Sequence, residues 1–147
     1  MPNLVPPNMP YPNWKRPAAK KIRLTTLEEQ LRFTMYLGGL PDPEWHFEWG
    51  QLIGRDYHSD AAYPDQRILL EAEGGNTPFR DKSGQLRQGR HNTITGFEED
   101  CRKYNLAANN GWHVYRFTRG MIDDMSCLVT IRDALIYWSH GYERPQL

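Results

Sequence analysis

Cysteine is scarce in this chain, with Cys101 and Cys127 alone among 147 residues. Two thiols make no disulfide framework and no paired Cys-x-x-Cys ligand set, which speaks against structural zinc and fits a reducing interior. No apolar run approaches the ~20 residues a bilayer span needs, so no membrane partner is expected. No apolar stretch precedes the first prolines, so no signal peptide is read, and a soluble cytoplasmic protein is expected. Net charge is also missing, at +0, and so gives no hint of a polyanion partner. Acid is missing from one place. Residues 1–27 carry Lys15, Arg16, Lys20, Lys21 and Arg23 and no carboxylate. That segment is +5, and the rest, with 13 bases and 18 acids, is −5. A basic arm on an acidic body suits a protein that holds phosphates and metals in different places; a solubilising tail accounts for the same charges.

The length fits one domain with a real core. Residues 1–22 hold six prolines and little apolar periodicity, so they read as an extended or disordered arm ahead of a domain over 23–147. Thr25 or Thr26 caps a first helix with Glu28 and Glu29 in its first turn, and Leu27, Leu31, Met35 and Leu37 form its stripe. Gly38-Gly39 stops it, and Pro41 and Pro43 prevent a restart. Residues 44–49 alternate and are aromatic-rich, predicting a strand; 56–63 and 67–73 predict two more. Gly74–Thr95 reads as a long polar loop. Thr95-Gly96-Phe97-Glu98 matches a capping box, with Phe97, Cys101, Tyr104 and Ala108 expected to face the core and Gly111 to end the helix. Residues 112–117 predict a strand. A last helix over roughly 120–139 follows, with Ile122, Met125, Val129 and Ile136 as its stripe and Asp123 and Asp124 at its positive end. The step from strand 67–73 through a helix to strand 112–117 has the length of a right-handed crossover, which predicts an α/β fold with a mixed sheet flanked by helices.

The chemistry centres on three carboxylates. Pro64-Asp65 is turn chemistry. If Asp65-Gln66 is a hairpin tip, Asp60 lies opposite Glu71 with Cβ atoms ~5 Å apart, and Glu73 shares the face. Three acids on one patch repel, and a divalent cation reverses the sign of that energy. Oxygen ligands of this kind suit Mg²⁺ or Mn²⁺.

Asp60-x-Ala-Tyr-Pro, Leu69-Leu70-Glu71-Ala72-Glu73-Gly74-Gly75, Gly89-Arg90-His91, Gly96-Phe97, Asp100, Lys103-Tyr104-Asn105 and Gly111 to Thr118 occur in that order. This series resembles the PD-(D/E)XK nuclease superfamily, closest to the small proteins of phages and bacteria related to very-short-patch-repair endonuclease. The resemblance covers about residues 25–120. It implies a restriction-endonuclease-like core and a metal-dependent DNA endonuclease activity, with Asp60 as first acid and Glu71 as second. The family's lysine falls at residue 73, where this chain has Glu73. Lys103 on the next helix is a substitute, although a surface pair with Glu99 explains it equally well. Mismatch specificity does not carry over, because zinc ligands are lacking.

Glu73 is then a third ligand or a holder of water. His91 takes a proton from the attacking water or binds phosphate, or is a loop residue without a role. The resemblance brings Glu29 in as a weaker metal ligand against a plain helix-dipole role. His58 falls opposite Glu73, while His46 and His113 read as packing residues. Arg80, Lys82, Arg87, Arg90 and the arm's Lys15, Arg16, Lys20 and Lys21 are phosphate-contact candidates. A monomer and a homodimer cutting symmetric sites both fit. Two other classes stand beside the nuclease. One is a catalytically degenerate nucleic-acid-binding protein on the same fold. The other is a phage protein binding a host factor through Trp45, Phe47 and Trp49.

Overall fold

The structure, a computed structural model, describes residues 23–74, 79–87 and 93–139. Helix α1 runs Thr26–Leu37 and starts as the sequence predicts. The Thr25 hydroxyl accepts the Glu28 N–H and the Glu28 carboxylate accepts the Thr25 N–H, closing a capping box. Strands β1 (Glu44–Phe47), β2 (Ser59–Tyr63) and β3 (Ile68–Glu73) follow. A hairpin of β4 (Phe79–Arg80) and β5 (Leu86–Arg87) comes next, then α2 (Ile94–Asn109), β6 (His113–Thr118), α3 (Arg119–Asp123) and α4 (Ser126–Ser139). The main sheet has the order β1-β2-β3-β6. The first two pairings are antiparallel and β3–β6 is parallel, so α2 is the expected crossover. No helix among the described residues is long and apolar enough to cross a membrane.

Alternation along the strands sorts the core into two layers. Ile68, Leu70, Ala61, Tyr63 and Phe117 pack with Leu27, Leu31 and Met35 of α1 and with Ile122, Leu128 and Ile131 of α3 and α4. Leu69, Ala62 and Trp112 pack with Ala107 of α2 on the other side. A mixed sheet flanked by helices is therefore what the chain builds. β1 feeds both layers. Trp45 and Phe47 would share a face in a regular strand, yet Trp45 lies in the first cluster and Phe47 in the second. His46 between them has φ +51, which breaks the alternation at a cost on the order of 1–3 kcal/mol.

Several expectations shift. The aromatic strand stops at Phe47, and Trp49–Ile53 forms a 3₁₀ turn. Trp45, Phe47 and Trp49 are 8%, 5% and 1% exposed, so they offer no surface to a host factor. The long polar loop contains the β4–β5 hairpin, whose turn is tied by Asp81 accepting from Ser83 and Gln85. The cap of α2 is Thr93, accepting the Gly96 N–H, rather than Thr95. The α2 stripe is rotated too. Phe97, Cys101 and Ala108 are exposed, while Gly96, Asp100 and Ala107 are buried. The last helix is broken at Met125, φ +63. That break resets the phase. Ile122 is buried, but Met125, Val129 and Ile136 are exposed and Cys127, Leu128, Ile131 and Ala134 point inward. Asp124 accepts the Ser126 N–H at the start of α4, and hydrogen bonding from the Ser126 side chain and then its backbone holds the Asp124 carboxyl below the ordinary range.

A Cβ on Gly50 would stand 2.7 Å from both the Arg55 carbonyl oxygen and the Tyr57 nitrogen, and backbone atoms have little room to yield. Gly54 has φ +68 with nothing near its missing Cβ. Urea denaturation is expected to show Gly50→Ala losing ~1–3 kcal/mol or more from overpacking, and Gly54→Ala only ~1 kcal/mol from the left-handed backbone.

Candidate active site

The β2–β3 register places the acids. Tyr63 pairs with Ile68, Ala62 with Leu69 and Ala61 with Leu70. The paired ladder ends there; Asp60 follows Ala61 away from the turn on β2, Glu71 follows Leu70 on β3, and the Asp60 carboxylate closes on the Ala72 N–H. The turn is a 3₁₀ segment over Pro64–Gln66 closed by Arg67 at φ +55. Glu71 and Glu73 project from the β3 face that also carries Leu69, the α2 side of the sheet.

Helix α2 and strand β6 then supply the cations. The Lys103 Nζ donates to Glu71 Oε1 at 2.8 Å. Arg116 Nε donates to Glu73 Oε1 at 2.7 Å, and the Tyr104 hydroxyl donates to the same oxygen at 3.2 Å. The Arg116 guanidinium lies 4.5 Å from the Tyr104 ring centroid. Asp60 Oδ2 accepts the Ala72 N–H at 2.7 Å. Lys103 is thus paired with Glu71 of the acid cluster. Its side chain is 17% exposed.

The glutamate that approaches from α1 is Glu28. The helical stripe of Leu27, Leu31, Thr34 and Met35 turns residue 28 inward and leaves residue 29 exposed. Glu29 lines an outer groove with Arg23, Arg32 and Phe33. The metal-ligand expectation for Glu29 is therefore corrected: the side chain at that end of the cluster is Glu28. Its Oε2 accepts the Thr25 N–H and contacts His46 Nε2, both at 2.9 Å. The stripe spacing carried that signal, whereas nothing in the sequence marked Arg116 or the His46 contact.

Electrostatics follow from burial. Burial pushes the Glu71 carboxyl up from 4.5 to about 7; Lys103 opposes this, and Asp60 and Glu73 add to it. Burial raises Asp60 as well, against the Ala72 N–H and with help from the charges of Glu28 and Glu73. The charge of Glu73 thus acts on both Asp60 and Glu71, and that of Asp60 on Glu71. Among the described residues no three His, Cys, Asp or Glu side chains form a ready metal cage.

The remaining candidates lie elsewhere. Arg80, Lys82 and Arg87 sit exposed on the β4–β5 hairpin. Arg87 pairs with Asp81 at 2.9 Å, and Arg80 donates to the Gly84 carbonyl. Lys15, Arg16, Lys20, Lys21, Arg90 and His91 fall outside the described residues. His58 is exposed, with its ring centroid 6.4 Å from that of His46. His113 packs as expected, stacked on Trp138 at 3.3 Å, and burial lowers its pKa to about 4.

The Glu71 shift makes a pH prediction. Between pH 4.5 and about 7 the folded protein keeps a proton on Glu71 that the unfolded chain has lost. Stability therefore falls as pH rises through that window, by on the order of 3 kcal/mol in total. Thermal unfolding of the wild type is expected to show this slope, and Glu71→Gln to flatten it.

The chain matches no protein-family model, no curated protein and no solved structure.

Proposed function

We propose that the chain is a metal-dependent DNA endonuclease of the restriction-endonuclease-like kind, hydrolysing phosphodiester bonds with activated water. The observation that carries this reading is that Asp60 and Glu71 stand one residue beyond the last β2–β3 pair, with the Asp60 carboxylate on the Ala72 N–H and Lys103 of α2 on Glu71. Burial and neighbouring negative charge disfavour the ionised forms of Asp60 and Glu71, a penalty that a divalent cation would relieve.

The donor set fits Mg²⁺ or Mn²⁺. Such ions take hard oxygen ligands, and Mg²⁺ needs only one or two carboxylates while keeping several waters. Asp60 and Glu71 would hold the ion. Bound there, it would supply Lewis-acid neutralisation of the phosphate and a lower pKa for coordinated water. The chain's own residues do the rest. Lys103 is the cation nearest Glu71. Once an ion occupied that carboxylate, the ammonium would be released toward the phosphate oxygens, the role of the family's lysine taken from a different element. Glu73 is fixed by Arg116 and Tyr104, so it orients rather than exchanges protons. Arg116, with a side chain 45% exposed, extends the cationic surface toward a DNA backbone. The β4–β5 hairpin bases and the arm's lysines and arginines would add salt-sensitive phosphate contacts.

A second reading has its own support. Lys103 and Arg116 already neutralise Glu71 and Glu73, so the cluster stands without an ion. That is what a DNA-binding protein that has lost its chemistry would show.

Two measurements decide. In nicking of supercoiled plasmid with Mg²⁺ or Mn²⁺, wild type is expected to cut, Asp60→Ala and Glu71→Ala to be inactive, and Lys103→Met to lose ~10²–10³-fold. Equal rates in all four proteins would sink the hydrolase. Calorimetry is expected to show Mn²⁺ binding that strengthens from pH 5.5 to 8, as Glu71 gives up its proton, and that disappears in Glu71→Ala. DNA binding without such metal binding would establish the second reading instead.

A further inference from the structure

We propose that His46 is the general base of the hydrolysis and that Glu28 positions it; this rests on the nuclease reading above. The pair is built from three elements. Glu28, 6% exposed on α1, holds its Oε2 on the Thr25 N–H and on His46 Nε2, each at 2.9 Å. A carboxylate can only accept, so Nε2 carries a ring hydrogen, and in the neutral imidazole the lone pair is then on Nδ1. This is the logic by which a buried carboxylate fixes a histidine tautomer for proton abstraction.

His46 also stands beside the acids in the sheet. Trp45 pairs with Ala61 and Phe47 with Ser59, so His46 lies between these pairs on β1, level with Asp60 on β2. Glu28 is close enough that its charge bears on Asp60. The His46 side chain is 34% exposed, so water reaches it, and Nδ1 has no hydrogen bond among the described residues. The other groups at the site are committed. Glu71 accepts from Lys103, Glu73 from Arg116 and Tyr104, and Asp60 from the Ala72 N–H.

In the step proposed, Nδ1 takes one proton from the attacking water as the water oxygen bonds to phosphorus. The bond from phosphorus to the departing sugar oxygen breaks, and that oxygen takes a proton from solvent. The imidazolium, paired with Glu28, returns its proton to the solvent hydroxide. One water is consumed.

The test uses the full chain. His46→Gly suits the φ +51 backbone, so it removes the imidazole without forcing the strand. Its single-turnover nicking rate with Mg²⁺ is expected to fall ~10²-fold or more, with added imidazole restoring part of the rate and with Mn²⁺ affinity unchanged. Glu28→Gln, which keeps an acceptor for the Thr25 N–H, is expected to lower the rate at saturating DNA and leave DNA affinity intact. A His46→Gly rate equal to wild type, beside an inactive Asp60→Ala, would overturn the base assignment and leave the nuclease standing. Loss without imidazole rescue would overturn it too, reducing His46 to a packing role. A Glu28→Gln rate equal to wild type would overturn the positioning role. Nicking that persists in Asp60→Ala, or is absent from wild type, removes both proposals together.

Discussion

Glu71 occupies a strand position that in most α/β sheets is apolar, and it is 7% exposed. Two further carboxylates stand on the same patch, so its charge is opposed by burial and by its neighbours at once. Lys103 is what makes the arrangement tolerable. Desolvating two ions typically offsets their attraction, so this pair is not a source of net stability. Breaking it by deleting one partner still costs ~3–5 kcal/mol, because the other is stranded. The pair acts as a constraint on everything above the sheet.

The constraint explains the phase of α2. A helix that covers acids must turn polar groups toward them. Asp100, Lys103 and Tyr104 occupy the inner face near Glu71 and Glu73, and the charge of Asp100 reaches Arg116. Ile94 and Phe97 are turned to solvent at 87% and 61% exposure. Only at Ala107, where α2 lies over Leu69 and Trp112, does the contact become apolar. Hydrophobic periodicity assumes an apolar partner surface, and here half of that surface is charged.

Three local features then set polar side chains along β1, β2 and the facing end of α1. The capping box of α1 anchors Glu28. The left-handed residue in β1 sends Trp45 and Phe47 into opposite layers while His46 itself meets Glu28. The short turn after Tyr63 fixes the β2–β3 register up to the Ala61–Leu70 pair that precedes Asp60 and Glu71. Each feature has a structural reason of its own, in a helix end, a divided core or a hairpin. The Glu28–His46 and Glu71–Lys103 contacts are formed between elements so placed.

Much of this was legible in one dimension. Pro64-Asp65 set the hairpin and hence its register from Tyr63–Ile68 to Ala61–Leu70; Thr25 and Gly38-Gly39 bounded α1; the length between β3 and β6 implied the parallel crossover. These rest on local backbone preferences and on strand periodicity, which neighbouring residues determine by themselves. The choice of Glu28 over Glu29, the pairing of Lys103 with Glu71, the reach of Arg116 to Glu73 and the break at Met125 did not follow from local preference. Each depends on which face of one element meets which face of another, and on polar contacts between residues 18 to 43 positions apart in the chain. Local sequence determined where the acids stand; only the packed layers decided which cations answer them.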